Sequence, residues 1–410
     1  MMTAVATLNF VDRQLLSMLL EPIKAEFALT DTQLGFLTGF AFATFYILIG
    51  FPLAKFADQG NRRNLIATVI AVWSVMTALC GSAVGFWSLL AARVGVGAGE
   101  AGSGPAIQSM LADHYAPRER SSAIGIQSTG VYLGILLGFL AGGWINQFFG
   151  WRAAFAVIGL PGILISLLFW LTIKEPRRGQ FDSVADSGQA PPIFATIKTL
   201  CALPSYRNIP IAMAFYAFAA YGSMSWAPSF FARTHGMGSG EIGTWLALSA
   251  GLAGGLGCYL GGLGSDWLVN RTGDERWHLR VPAICTLLTV PLLFGVYLSD
   301  SPVFALSLSA AVWFLSNTWL GPVQATIAGL AGIRRRGVAL AFLLFVNNLV
   351  GMGLGPQAVG ILSDTLQPTY GHDSLRYALL GPLVIASVLA AFFFYRASRT
   401  LREDLRAVGN

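Results

Sequence analysis

Ten stretches of this chain carry no charged residue over lengths that cross a lipid bilayer: 32–54, 64–92, 121–151, 153–173, 208–232, 242–265, 281–299, 301–333, 337–363 and 377–395. A helix needs about 20 apolar residues to traverse the hydrocarbon core. No other feature constrains the fold as strongly, because in hydrocarbon every backbone N–H and C=O must be satisfied internally, which long helices do within one segment. Two further apolar segments, Ala4 to Leu20 and Leu89 to Ala112, are interrupted by charge, the first at Asp12 and Arg13 and the second at Arg93 and Glu100. Twelve transmembrane helices are therefore predicted. Charged residues make up 11% of the chain, against about 25% in a soluble domain, which excludes a water-soluble enzyme. The four cysteines, at 80, 201, 258 and 285, have neither disulfide nor metal-ligand spacing.

Basic residues set the orientation. Of the 26 Lys and Arg, 20 fall in loops 2/3, 4/5, 6/7, 8/9 and 10/11 or after the last span, so both termini are expected in the cytoplasm. The net charge of +6 then reflects topology, and no basic tract points to nucleic acid. A cleavable leader with a basic start is not expected, and a first helix that begins almost at Met1 is compatible with a trimmed or late start. A polar segment rich in Pro, Asp, Ser and Gly divides the chain six plus six. The expected organisation is a six-helix bundle over 1–173, a cytoplasmic linker over 174–207, a second six-helix bundle over 208–397 and a cytoplasmic tail over 398–410. Such halves imply an internal repeat, with substrate bound near the midplane. A weak one exists: Ala54-Lys-Phe-Ala-Asp58 before Arg62 and Arg63 is matched six spans later by Gly262-Leu-Gly-Ser-Asp266 before Arg271.

These two segments resemble the loop 2/3 signature of the major facilitator superfamily, with Ala54 and Gln59 standing where that family prefers Gly and a basic residue. Arg93-Val-Gly-Val-Gly97-Ala-Gly99-Glu100 resembles its fourth-helix signature, and Gly130, Gly134, Gly138 and Gly142 form a ladder at four-residue spacing in the fifth. Within the superfamily the chain is similar to the spinster-like group. The matching segments are Leu8-Asn9-Phe10-Val11-Asp12-Arg13, Gly97-Ala-Gly-Glu100-Ala101, Gly150-Trp151-Arg152 and Lys174-Glu175-Pro176-Arg177-Arg178-Gly179. The resemblance implies an all-α membrane fold of two six-helix bundles, with a proton-coupling acid at Glu100 and a lysolipid or sphingoid phosphate as substrate.

The residues themselves point to the intramembrane charges. Ionisable groups inside a span are costly and usually face a cavity or a partner. Arg93 and Glu100 are seven apart, nearly on one helical face and about 10 Å apart along the axis. Asp12 and Arg13 diverge by about 100° around theirs, so each must find a partner on another helix, the fourth being the nearest candidate. The four charges sum to zero. Burial and a neighbouring arginine pull a carboxylate's protonation in opposite directions, which makes a proton switch. The expectation is that Glu100 takes up a proton, with Asp12 as a second relay, and frees Arg13 or Arg93 for an anionic substrate. A purely structural clamp between helices one and four is the alternative.

Asp58, Arg62, Arg63, Asp113, Arg120, Asp266 and Arg271 fall at cytoplasmic helix ends and are read as a gate. Tyr216, Tyr221, Trp226, Trp313, Asn317 and Asn347 are candidate cavity residues. The expected function is a secondary transporter working by alternating access and moving an amphiphilic anion. It needs no cofactor beyond a proton gradient and no metal. Its partners are a small-molecule or lipid substrate and the bilayer, a bacterial-type inner membrane, in which it acts as a monomer. A carrier of small organic anions such as sugar acids, or a non-transporting scaffold or receptor, are the rivals. No Ser/His, histidine-rich or paired-aspartate constellation marks an intramembrane enzyme.

Overall fold

The computed structural model describes residues 1–179 and 192–409, so residues 180–191 of the expected linker lie outside the described residues. The described chain is helical almost throughout. Seven helical runs are long and apolar enough to cross a membrane. Two of them, Arg118–Thr172 and Arg335–Val408, exceed a single crossing in length. Gly150 breaks the first with φ +80°, a backbone conformation that side chains with a Cβ disfavour. The chain forms two compact units, Met1–Asp186 with Ala227–Ala247, and Ser187–Trp226 with Leu248–Asn410.

The first unit contains α1 (Met2–Met18), α2 (Leu20–Phe27), α3 (Asp31–Gly35), α4 (Ala41–Gln59), α5 (Arg62–Cys80), α6 (Phe86–Glu100), α7 (Ser103–His114) and α8 (Pro117–Thr172). A π-helical turn, Phe36–Phe40, joins α3 to α4. The close packing of α1 on α8 follows from the glycine ladder. A Cβ on Gly130 would stand 2.6 Å from the Thr3 carbonyl, one on Gly134 2.5 Å from that of Thr7, and one on Gly138 3.0 Å from that of Val11. Because the glycines recur every four residues they share one face, and α1 lies backbone to backbone along it. Small residues thus supply the packing that water would otherwise drive.

The second unit contains α9 (Ile193–Cys201), most of α10 (Pro204–His235), α12 (Gly254–Thr272), α13 (Trp277–Leu298), α14 (Pro302–Ser316), α15 (Leu320–Val346), α16 (Gly355–Tyr370) and α17 (Ser374–Gly409). The end of α10, from Ala227, and α11 (Ser239–Leu246) belong to the first unit. Its core is built around Tyr206, Ile209, Met213, Ile327, Phe394 and Leu401, all at most 1% exposed. Gly332, at φ +65°, interrupts α15, and two more π turns follow that of the first unit: Ala247–Ala253 precedes α12 and Asn347–Leu354 precedes α16. Past residue 397, the expected end of the second bundle, α17 continues to Gly409, because Ala397, Leu401 and Leu405 recur at helical spacing and pack on the core.

Candidate functional site

α6 ends at Glu100 because the sequence there is Gly97-Ala-Gly-Glu-Ala-Gly-Ser-Gly-Pro105. Pro105 has no N–H to give the Ala101 carbonyl, and its ring crowds that turn. Ser103 Oγ donates to the Glu100 carbonyl at 2.9 Å and starts α7. The acid is thereby held at a break in the fourth apolar segment, with its side chain fully buried.

Arg13 on α1 reaches it. Arg13 Nε donates to Glu100 Oε2 at 2.8 Å, and the Arg13 guanidinium carbon stands 5.2 Å from the ring centres of Phe10 and Tyr46 and 5.4 Å from that of Phe42. Arg93 stands 5.1 Å from the same Phe42 ring. Phe42 is therefore shared by two guanidiniums, an arrangement that ring quadrupoles favour. Gly97 makes room for it, since a Cβ there would meet the Phe42 carbonyl at 3.0 Å. Asp12 points the other way, into electrostatic reach of Arg93 and beside Trp73 and Thr77 of α5. All four predicted charges are thus gathered between α1, α4, α5 and α6.

Asp12 stands beside the hydroxyl of Thr77 and the indole of Trp73, and Glu100 beside the Asn9 amide, in a buried set whose members are neighbours without closing a tight hydrogen-bond network. Of the four charged side chains Arg13 is the least enclosed, at 14% exposure.

At one end of the first unit lies a second network. Arg62, 1% exposed, pairs with Asp113 at 2.5 Å and Glu175 at 2.7 Å, and donates to Ser109 Oγ at 2.9 Å. Glu175 also accepts from the Arg63 backbone N–H at 2.8 Å, while the Arg63 guanidinium turns to Asn64 and the Trp170 ring. Arg178 donates to the carbonyls of Ala57 and Gly60 at 2.8 and 2.7 Å and to that of Asp58, whose own side chain is exposed. Arg120 donates to the last carbonyls of α7 through Ala112 at 2.6 Å. Sequence reasoning singled out Arg62 and Asp113 but not Glu175 and Arg178. Their signal was the Lys174-to-Gly179 motif, whose role needed three dimensions. A third cluster was missed altogether: Arg233 binds Asp31 with two bonds of 2.7 and 2.8 Å and Glu21 at 2.9 Å, while Lys24 adds 2.6 Å to Asp31.

In the second unit Asp266 pairs with His278 at 3.1 Å, while Arg271 lies over the Trp267 ring. Tyr216 and Trp313 line a small, mostly apolar recess together with Ser223, Thr286, Thr289, Ser316 and Ser387. Trp226 is fully buried, giving its N–H to the Pro356 carbonyl at 2.9 Å, and Tyr221 packs half-buried on the core. Asn317 donates to the Trp313 carbonyl at 2.8 Å, and Asn347 heads the π turn before α16 with its Oδ1 unpartnered. Only Tyr216 and Trp313 of the six expected residues line this recess.

Long apolar helices around a buried, charge-balanced cluster, with ion pairs at the helix ends, define a polytopic membrane transporter. The chain belongs to the Major Facilitator Superfamily, whose model matches residues 2–356. It is 32% identical over 407 residues to an MFS-type efflux pump of Mycolicibacterium smegmatis, covering 98% of this chain and 92% of that one. To a D-galactonate transporter of Escherichia coli it is 26% identical, covering 87% of this chain and 86% of the relative. The crystal structure of a bacterial homolog to the human lysosomal transporter spinster, inward-facing and unoccupied, superposes with a TM-score of 0.85 at 30% identity, over 98% of this chain and 96% of that one. The family and its solved relatives are transporters, not enzymes.

Proposed function

We propose that the chain is a proton-coupled secondary transporter that works by alternating access, with Glu100 and Asp12 as the coupling acids. The architecture we assign is twelve crossings in two six-helix bundles, 1–173 and 208–397, with the linker 174–207 and both termini cytoplasmic. We place it in a bacterial-type inner membrane, acting as a monomer. The observation that carries the reading is the Arg13–Glu100 pair at 2.8 Å, set with Asp12 and Arg93 in a buried, charge-balanced cluster. Two carboxylates and two guanidiniums within electrostatic reach give each charge an alternative partner, which a single closed clamp does not need.

A proton delivered to Glu100 removes the charge that holds Arg13. The guanidinium then keeps its three aromatic neighbours and offers its donors to an anion. Asp12, facing Arg93, Trp73 and Thr77, can take the proton onward. Arg62 with Asp113 and Glu175 is the inner gate, to which Asp58, Arg63 and Arg120 contribute, with Asp266 and Arg271 in the second half. Arg233 with Asp31 and Glu21 is the outer one. Tyr216, Tyr221, Trp226, Trp313, Asn317 and Asn347 belong to the substrate-facing half.

The substrate we favour is an amphiphilic anion such as a lysophospholipid or sphingoid phosphate, supported by the likeness to the bacterial spinster homolog. A second reading, a sugar acid, is supported by the similarity to a D-galactonate transporter. Uptake into proteoliposomes under a pH gradient, offering a fluorescent lysophospholipid and a labelled sugar acid in parallel, separates them. Lipid uptake supports the first reading, sugar-acid uptake alone replaces it with the second, and no flux of either moves weight to a scaffold or receptor.

A further inference from the structure

The last helix does not end with its apolar stretch. Beyond Tyr395, α17 continues to Gly409 and is held down: Ser398, Leu401 and Asp404 are buried, and Asp404 Oδ2 accepts from the Ser205 backbone N–H at 2.7 Å and hydroxyl at 2.5 Å. The opposite face exposes Arg396, Arg399, Arg402 and Arg406, within about 120° of the helix circumference at 100° per residue.

This ridge meets the loop after α12. Asp274 pairs with Arg276 at 2.8 Å, Arg402 at 3.2 Å and Arg280 at 3.4 Å. One carboxylate shared by three guanidiniums leaves two positive charges uncompensated. Neighbouring acids do not make up the difference. Asp404 is engaged by Ser205, and segments 273–280 and 395–406 together hold six arginines against four carboxylates. Exposed Trp267 and Tyr395 flank the surface, the residue types that sit at the level of lipid headgroups.

We infer that this surface is a docking site for the headgroups of anionic phospholipids, with Arg276, Arg280 and Arg402 holding the phosphate and the α17 ridge extending the contact. The inference rests on the topology proposed above, which puts this surface against the cytoplasmic leaflet, where anionic lipids attract juxtamembrane arginines. Loops that serve only to orient the chain need charge but no fixed geometry. Here the Ser205–Asp404 and Asp274–Arg402 contacts position the guanidiniums beforehand, which lowers the ordering cost of binding, and guanidinium matches phosphate with paired donors.

Native mass spectrometry of the detergent-purified full chain with phosphatidylglycerol and phosphatidylcholine tests the site. Phosphatidylglycerol is expected to be retained preferentially, with the preference falling about fivefold for each arginine removed in R399Q/R402Q/R406Q. The Lys triple variant should keep most of the preference, and millimolar inorganic phosphate should leave it unchanged. Equal retention of the two lipids, or a Gln triple variant that behaves as wild type, overturns the proposal. Displacement by inorganic phosphate also overturns it by assigning the site to a free anion. None of these readouts uses transport, and thiol labelling of R406C in intact and permeabilised cells reports the orientation separately. Failure of the lipid site is thereby distinguishable from failure of the transport reading.

Discussion

Arg13 Nε lies 2.8 Å from Glu100 Oε2, and the Arg13 guanidinium is surrounded by the rings of Phe10, Phe42 and Tyr46 at 5.2 to 5.4 Å. Of the contacts named, the carboxylate is the one a proton can neutralise. The proposed coupling has the arginine change partner while its aromatic contacts stay in place.

If that exchange couples substrate to protons, E100Q should lose gradient-driven accumulation by roughly 5- to 150-fold, the usual range of a coupling free energy. Substrate exchange at equal pH should survive, because Gln still accepts a hydrogen bond from Arg13. Counterflow and gradient-driven uptake, measured on the same proteoliposomes, check both halves of this expectation.

Phe42 serves both arginines. F42L removes two cation–π contacts of about 0.5–2 kcal/mol each, whereas F42W keeps them. Transport by F42L should show a displaced pH midpoint, and F42W should stay close to wild type. A loss of protein yield with no change in the pH profile would reduce Phe42 to a packing residue.

Arg62 is 1% exposed and holds Asp113 and Glu175. Truncation leaves two carboxylates without their cation, a loss of about 3–5 kcal/mol for buried pairs. R62A should lower the melting temperature in detergent markedly, and R62K should recover only part of it, since an ammonium cannot reach both acids and Ser109 with a planar fork.

Gly134 tests the packing. A Cβ there would fall 2.5 Å from the Thr7 carbonyl and 2.6 Å from Phe10 Cβ, so G134A must push α8 away from α1. Overpacking of this kind costs about 1–3 kcal/mol. Because Phe10 also lines the Arg13 shell, G134A should disturb transport as well as thermal stability.

Outside the spans, Asp274 supplies a pH dependence. Its hydrogen bond from Arg276 holds the carboxyl below the usual carboxylate range. A lowered folded pKa contributes stability that is present above the unfolded value of about 3.9 and is lost as pH falls through the folded value. Protection from hydrogen exchange over residues 396–409, relative to an unfolded amide at the same pH, should therefore be high at neutral pH and fall only in acid. D274N should lower it at pH 7.

Much of this was legible in the residues, for identifiable reasons. The Gly130-to-Gly142 ladder was visible as a spacing, while its partner was not, and the structure lays α1 along it. The four intramembrane charges were readable because charge is expensive in hydrocarbon. Their partition, Arg13 to Glu100 and Asp12 towards Arg93, was not, since it depends on how each helix is rotated about its axis. Phe42 and Tyr46 were hidden in an apolar run where an aromatic pair four apart looks like any packed face. The continuation of α17 past 397 was hidden because charge density masked the Ala397, Leu401, Leu405 stripe that docks it. The π turn at Asn347–Leu354 leaves no sequence signature beyond its glycines.

The most direct test of the central claim is the pH inside proteoliposomes, followed with an entrapped indicator while a transported anion is added outside without a preset gradient. Substrate should move protons in wild type, and E100Q should exchange substrate with no pH change. An E100Q trace that matches wild type would contradict proton coupling at Glu100 and leave the Arg13–Glu100 pair as a structural clamp.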